Sequence, residues 1–228
     1  QGATNTTVGT ASLLTQASDL TAILTGAKAL TSVTLSAGTA TAVCTAAHGF
    51  TIGDTLLITI AGVTPAGYNG TFTATVTTTT AFTYALSGSL SAGSGGVYTP
   101  EDVAELNAMV TTFFAQGSGL SCYVLELGPG NANDGVAALT AYMTANPNSA
   151  YTPGATGYFY AYCVPRYWDA NASFLALIAS YQATTSRVYF FTTTTLATYT
   201  SYTNLMKCVV ALIESPSLGL YAANADTA

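Results

Sequence analysis

Alternation of apolar residues with threonine is the feature that most constrains the fold of this 228-residue chain. Phe72, Ala74 and Val76 are separated from one another by single threonines, and residues 55–60 and 81–86 alternate in the same way. Successive side chains of a β-strand point to opposite faces, so each segment predicts a strand with one apolar and one hydroxyl-bearing face. Turn-forming residues separate the segments. The region therefore predicts a small antiparallel barrel or sandwich.

Charge is scarce, and this excludes several classes of protein. The chain has four Lys+Arg and ten Asp+Glu, so 6% of its residues are charged and its net charge is -6. Disorder is excluded because half of the residues are hydrophobic. Four cations (Lys28, Arg166, Arg187 and Lys207) are too few to neutralise a nucleic acid, and apolar runs such as 208–213 are too short for a membrane span. We expect no nucleic-acid partner, no membrane insertion and a neutral surface that packs against other protein copies.

The hydrophobic period changes near residue 99. Thr99 is predicted as the N-cap of a helix, with Pro100 at the first helical position and apolar residues at helical spacing after it. A further helix, capped by Asp169, and a last helix over residues 196–213, ended by Pro216, are also expected. Strands are predicted between the helices, and alternating strands and helices are typical of a parallel sheet. These strands fall at residues 122–127, 157–164 and 188–193, and residues 12–24 add one more strand and helix.

The predicted fold class is therefore α/β, with a mainly parallel sheet and flanking helices, plus an inserted small all-β barrel or sandwich domain. Residues 1–32 supply the first strand and helix of the α/β domain, residues 33–98 form the inserted domain, and residues 99–228 form the remainder. Because the chain starts without Met, we expect it to be a fragment of a longer subunit or a processed product.

Residues suited to catalysis are rare. His48 is the only imidazole, and its Gly-containing turn favours a role in the turn or in packing over a role as a catalytic base. Glu101, Asp102 and Glu105 stand at a predicted helix start, where the helix dipole explains them. The four cysteines lack metal-site spacing. We expect no enzyme activity, no catalytic residue, no cofactor and no metal.

Three further features bear on function. Residues 128–135, GPGNANDG, lie where phosphate loops occur, but the third glycine and the lysine of such loops are missing, which favours a tight turn. Glu126 lies in an apolar strand, where an ion pair with one of the few cations would account for it. Arg166, Tyr167 and Trp168 follow a predicted buried strand, and they either contact a partner or cover the rim of their own core.

Several segments resemble known phage proteins. Residues 101–128, EDVAELNAMVTTFFAQGSGLSCYVLELG, resemble a segment of contractile phage (myovirus-type) tail sheath proteins, in which a helix ending in a double Phe and a Gly-rich corner lead into a strand. Residues 13–24 resemble the sheath segment before that helix, and residues 165–199 resemble the portion that follows. Residues 46–86 are similar to a small β module of phage structural and bacterial surface proteins.

The resemblance implies a structural subunit of a contractile phage tail sheath or of a related contractile injection machine. Such a subunit assembles with copies of itself in a helical, hexameric lattice around the tail tube protein, and contraction drives the tube through the host envelope for genome ejection. Its expected location is the tail of the virion, after assembly in the host bacterial cytoplasm.

Two alternatives differ from this expectation. One is a phage baseplate, fibre or surface adhesin module that binds a receptor or glycan through the β domain, which exposed Tyr68, Tyr84 and Tyr98 in a groove would favour. The other is an enzyme of the α/β class, which requires a cleft with convergent polar groups at the carboxyl ends of the strands.

Overall fold

The computed structural model describes residues 2–147, 159–183, 188–205, 207–215 and 220–223. The chain forms two compact units, Gln1–Asn131 (unit 1) and Ala132–Ala228 (unit 2). The division into residues 1–32, 33–98 and 99–228 stays a prediction. Within the described residues, no helix combines the length and the apolar character needed to cross a membrane.

Unit 1 consists mainly of β-strands. They are β1 (Ala11–Leu14), β2 (Lys28–Ser36), β3 (Thr39–Cys44), β4 (Thr55–Ala61), β5 (Gly70–Thr78), β6 (Ala81–Ala85), β7 (Gly93–Ser94), β8 (Val97–Pro100) and β9 (Cys122–Leu125). Helix α1 (Glu101–Phe114) follows β8 directly, and short 3-10 helices occupy Ala17–Ala22 and Ala66–Tyr68.

Six strands of unit 1 close into an antiparallel barrel in the order β2, β3, β6, β5, β4, β8. The ring is completed where Lys28 lies opposite Tyr98 and Ala29 lies opposite Val97. Farther along β2, the short strand β7 pairs with Ser32 and Val33. Closure leaves no unpaired edge in the ring, which removes the sites where a sheet would add a foreign strand.

The two faces of the barrel strands differ as the alternation predicts. Inward residues pack into an apolar core that includes the stacked rings of Phe72 and Tyr84, 4.4 Å apart. Outward positions carry threonine, and five of them lie opposite one another on consecutive strands. This row is Thr34, Thr41, Thr83, Thr75 and Thr55.

Outside the barrel, β1 and β9 form a two-stranded antiparallel ribbon. Leu13 lies opposite Tyr123, and Leu14 lies opposite Cys122. One face of the ribbon packs against α1 and the first 3-10 helix, and the buried residues of this small core are Leu14, Leu20, Val110 and Val124. All of the barrel strands lie between β1 and β9 in sequence.

Unit 2 contains a four-stranded sheet. Its elements are α2 (Ala132–Ala145), β10 (Ala161–Cys163), α3 (Ala172–Gln182), β11 (Tyr189–Thr194), β12 (Val209–Ser215) and β13 (Leu220–Ala223), with short 3-10 helices at Arg166–Trp168 and Tyr199–Tyr202. The strand order is β10, β11, β12, β13; the first three are parallel, and β13 is antiparallel to β12.

Both described helices of unit 2 pack on one face of this sheet. The ring of Phe174 in α3 contacts Phe190 of β11, with centroids 5.8 Å apart. Tyr142 of α2 reaches the same face through Phe159 and Tyr162, each ring contacting the next at 6.1 Å. Phe190 is fully buried and is the centre of this aromatic core.

The predicted α/β fold with a mainly parallel sheet is wrong. The chain is mostly β, with a closed antiparallel barrel, and helices account for 28% of it. The segments around residues 12 and 124 pair antiparallel with each other instead of joining a parallel sheet. Residues 196–213, predicted as a helix, contain a 3-10 turn and strand β12. Their run of β-branched and other apolar residues after 207 fits a buried strand as well as a helix face.

Helix starts differ from the prediction by one or two residues. Thr99 belongs to β8, and Pro100 is the residue that precedes α1, so the predicted threonine cap is wrong. The N-cap of α3 is Asn171, whose side chain accepts a hydrogen bond from the Phe174 amide at 3.0 Å, and not Asp169. Residues 157–158 of the predicted strand and the predicted stop at Pro216 lie outside the described residues.

Candidate functional site

A pocket of about 140 Å³ in unit 1 brings together the only histidine, one of the two lysines and a buried glutamate. Pockets for organic ligands usually measure roughly 300–1,000 Å³, so this pocket is too small for a substrate of that size. Its lining comes from the N-terminal segment, the barrel and the residues after β9: Gly2, Thr4, Asn5, Thr6, Val8, Thr25, Lys28, His48, Phe50, Glu126, Gly128 and Pro129.

Glu126 is only 3% exposed, and each of its carboxylate oxygens accepts two hydrogen bonds. One oxygen accepts from the amides of Gly2 at 2.7 Å and Gly128 at 2.6 Å. The other accepts from the Thr4 amide at 3.0 Å and the Thr4 hydroxyl at 2.6 Å. These contacts use the four lone-pair positions of the carboxylate. Glu126 therefore holds the N-terminal segment, and amide and hydroxyl donors of unit 1 stand where we expected an ion pair.

His48 is buried, and both of its ring nitrogens have partners. Nδ1 accepts a hydrogen bond from the Phe50 amide at 3.1 Å, so Nε2 carries the proton and donates to the Thr78 carbonyl at 2.8 Å. Burial lowers the pKa of His48 below its ordinary value, although hydrogen bonds to the backbone of Thr78 and Ala81 oppose that effect. The imidazole stabilises the turn, and both of its nitrogens are engaged with the backbone.

Lys28 completes the polar part of the pocket. Its ammonium donates to the His48 carbonyl at 3.4 Å, which ties the start of β2 to the turn that holds the imidazole. The side chains of Glu126, His48 and Lys28, which are suited to acid–base chemistry, thus all form hydrogen bonds within the chain. The pocket joins the N-terminal segment, the barrel and the end of β9, and its geometry does not arrange a base beside a nucleophile.

Metal ligands and reactive thiols are not assembled in the part of the chain that the structure describes. Those residues contain no group of three or more His, Cys, Asp or Glu that could hold a metal ion. Burial raises the pKa values of the Cys44, Cys122 and Cys208 thiols, which keeps them protonated and weakly nucleophilic. Cys163 is exposed and is not part of a disulfide.

The three predicted contact residues occupy different environments. Arg166, Tyr167 and Trp168 form a single 3-10 turn after β10. Trp168 is fully buried, and its ring contacts Phe174 edge to face at 5.5 Å, so it belongs to the core of unit 2. Tyr167 is 41% exposed, and Arg166 is half-buried. Contact of Arg166 and Tyr167 with a partner stays a prediction.

A polar cluster lies near the carboxyl ends of β10 and β11, the edge where α/β enzymes usually place their sites. Asp169 accepts hydrogen bonds from the hydroxyls of Thr198 at 2.6 Å and Tyr202 at 3.0 Å. The Tyr202 oxygen in turn accepts from the Ala170 amide at 2.7 Å. Burial raises the pKa of Tyr202 to about 12. The cluster consolidates the turns after both strands, because its donors and acceptors bond to one another.

Tyr68, Tyr84 and Tyr98 do not line an exposed groove. Their exposed fractions are 0%, 2% and 0%, and all three belong to the barrel core. The feature that would have favoured receptor or glycan binding by the barrel is therefore missing.

Thr4 contributes two hydrogen bonds to Glu126 in the pocket, and nothing in the sequence indicated this role. Glu126 was detectable as a lone acid in an apolar strand, but three of its four donors, on Gly2 and Thr4, lie more than 120 residues away in the chain. Comparison with known proteins adds no assignment, since no protein-family model and no curated protein matches the chain.

Proposed function

We propose that the chain is a structural subunit of a contractile phage tail sheath, or of a related contractile injection machine. In this role it packs against copies of itself around a tail tube in the virion, and it is not an enzyme. The proposal starts from the sequence resemblance and is supported by the internal arrangement of unit 1.

The packing of the two resembling segments of unit 1 carries the proposal. Residues 13–24 and 101–128 are separated by the whole barrel in sequence, yet Leu14 and Leu20 from the first pack with Val110 and Val124 from the second. The helix of the second segment ends at Phe113 and Phe114, and strand β9 pairs with β1. The two segments that resemble sheath proteins therefore pack together in one core, as expected if they derive from one ancestral element.

The state of the polar residues also supports a structural role. Catalysis or ligand binding would use the carboxylate oxygens of Glu126 and Asp169 or the ring nitrogens of His48. All of these atoms form hydrogen bonds within the chain. Binding and catalytic sites usually leave such groups directed at a cleft. These three side chains stabilise turns and joints, which suits a subunit with a mechanical role.

Electron microscopy tests the proposal. The complete gene product that contains this sequence is expressed, purified and imaged by negative stain. It is imaged alone and together with the tail tube protein that the proposal requires. We expect rings or helical tubes, and tubes of uniform diameter when the tube protein is present. A product that stays monomeric over all concentrations, salts and temperatures, with and without the tube protein, would overturn the proposal.

A further inference from the structure

The barrel contains the only Asn-Gly pair of the sequence, Asn69 and Gly70. The pair stands where the 3-10 helix Ala66–Tyr68 leads into β5. Glycine has no Cβ, so its amide nitrogen is unhindered and can attack the side-chain amide of a preceding asparagine. In an unfolded chain, an Asn-Gly pair is therefore a favoured place for spontaneous deamidation.

The reaction needs water and no other reagent. The Gly70 nitrogen bonds to Cγ of Asn69, the Cγ–Nδ2 bond breaks, and Nδ2 leaves as ammonia with the proton from the Gly70 amide. Water then opens the cyclic imide at one of its two carbonyl groups. One product is aspartate in an ordinary main chain. The other is isoaspartate, in which the main chain runs through Cγ and is longer by one carbon atom.

In the folded barrel, two hydrogen bonds hold the side chain of Asn69. Its Oδ1 accepts from the Val63 amide at 2.9 Å, and its Nδ2 donates to the Val63 carbonyl at 3.1 Å. We call this pair of bonds the Val63 clamp. Val63 itself is buried in the barrel core, so the clamp is anchored to a fixed part of the fold. Both polar atoms of the Asn69 amide are thus directed at one buried residue.

The main chain at Asn69 adds a second barrier. Ring closure requires the Gly70 nitrogen to turn towards Cβ of Asn69 about the Cα–C bond, whereas the observed ψ of 143° is extended. Gly70 is also fixed from β4, because it pairs with Ile60. The reactive geometry therefore breaks the clamp or the strand pairing. We propose that Asn69 is a latent deamidation site, which the closed barrel protects and an opened barrel exposes.

Modification opposes closure of the barrel. An aspartate at this position has no N–H donor for the Val63 carbonyl and places an oxygen against it, which is unfavourable for buried groups. Isoaspartate lengthens the main chain between Tyr68, which is fully buried, and Gly70, which pairs with Ile60. The modified chain then loses either this register or the burial of Tyr68. The inference concerns the barrel alone, so it does not rest on the sheath proposal.

Deamidation is first compared in the folded and the unfolded chain. The intact protein is incubated in buffer and in urea at one pH and temperature, and the peptide that contains Asn69 is followed by mass spectrometry. We expect the reaction in buffer to be at least about tenfold slower, because it depends on the small open population. Ser87→Asn places a second Asn-Gly pair in an exposed, irregular segment of the same barrel, and this pair should react in buffer.

Two glycine variants test the Val63 clamp itself. A Cβ at Gly96 would lie 2.8 Å from the Val63 amide nitrogen, which is the donor of the clamp, whereas a Cβ at Gly95 meets nothing within 4 Å. Gly96→Ala should therefore raise the rate at Asn69 in buffer about tenfold more than Gly95→Ala does. Far-UV circular dichroism checks that both variants are folded, and the comparison of buffer with urea needs no variant.

Refolding tests the consequence of the modification. Chains that are partly deamidated in urea are returned to buffer and digested briefly with a protease. The resistant, folded chains should retain Asn69, and isoaspartate should be concentrated in the digested fraction. Equal rates at Asn69 in buffer and in urea, no reaction in urea, or isoaspartate in the resistant chains would overturn the proposal. A Ser87→Asn pair that is as slow as Asn69, or equal rates in the two folded glycine variants, would show that the clamp is not the protecting feature.

Discussion

The hydroxyl of Thr4 donates a 2.6 Å hydrogen bond to the Glu126 carboxylate, joining residues 122 positions apart in the chain. With the amides of Gly2, Thr4 and Gly128, it gives this buried acid a complete set of donors. One carboxylate thus fixes the start of the chain to the end of β9. A buried polar group that loses its hydrogen-bond partners costs free energy, so we expect this joint to stabilise unit 1.

Replacing Glu126 by Gln should destabilise unit 1. The side-chain amide of Gln replaces one carboxylate oxygen by an NH2 group. The two donors that bonded to that oxygen then face other donors and lose their acceptor. We expect the free energy of unfolding to fall by about 3 kcal/mol, measured by urea denaturation with far-UV circular dichroism. Thr4→Ser retains the hydroxyl and should cost under about 1 kcal/mol. An unchanged urea midpoint for Glu126→Gln would show that the joint contributes nothing.

Two adjacent glycines allow a matched test of barrel packing. Both have positive φ, +69° at Gly95 and +82° at Gly96. An added Cβ at Gly95 meets nothing within 4 Å, whereas at Gly96 it would overlap the Val63 side chain and lie 2.8 Å from the Ala61 carbonyl oxygen. Gly95→Ala should cost about 1 kcal/mol from backbone strain alone. Gly96→Ala should cost at least about 3 kcal/mol, seen as a lower melting temperature. Equal losses would contradict the close packing at Gly96.

Stability should fall in mildly acidic solution because of His48. Burial lowers its pKa below the usual 6.5, so below that pH the unfolded chain binds a proton that the folded chain does not. The free energy of unfolding should therefore decrease as the pH falls from 6.5 towards the folded-state pKa. The pKa of Asp19 is lowered from 3.8, so its effect begins at lower pH. Urea midpoints across this range should lose their slope in His48→Gln, and a slope that persists would assign it to another group.

The aromatic core of unit 2 can be tested with its own fluorophore. Trp168 is the only tryptophan, and it packs against Phe174. Phe174→Ala leaves a cavity beside the indole and should cost about 3–5 kcal/mol, followed by the red shift of tryptophan emission in denaturant. Leu196 is 76% exposed in the same unit, so Leu196→Ala should shift the transition little. A large effect of Leu196→Ala together with a small effect of Phe174→Ala would contradict this core.

Local patterns predicted much of the barrel and failed where pairing is distant. The alternation at residues 71–77 is contained in one segment, and β5 covers Gly70–Thr78. The start of β2 at Lys28 had no such signal, because its pairing with Tyr98 is 70 residues away. The same limit applies to Glu126, whose acidic side chain was visible in the sequence but whose donors were not.

Ambiguous periodicity explains the larger error in unit 2. Leu196, Tyr199, Tyr202, Val209 and Ile213 recur at spacings compatible with a helix. The structure places Tyr199 and Tyr202 in a 3-10 helix and Val209 and Ile213 in β12, where Val209 pairs with Phe190 of β11. A short apolar run stabilises whichever element its neighbours can cover. Pairing with β11, and not the apolar run by itself, therefore makes residues 209–213 a strand.

The pairing of Lys28 with Tyr98 has an evolutionary consequence. The chain enters the barrel at Lys28, directly opposite Tyr98 near the end of the last barrel strand, and the Cα atoms of such an antiparallel pair are separated by about 5 Å. A short turn could bridge that gap if the intervening segment were deleted, and the β1–β9 ribbon would keep its own partners. Gain or loss of the barrel would therefore require only a short connection at this point, while the contacts that the barrel makes in the pocket with the N-terminal segment and the end of β9 would change with it.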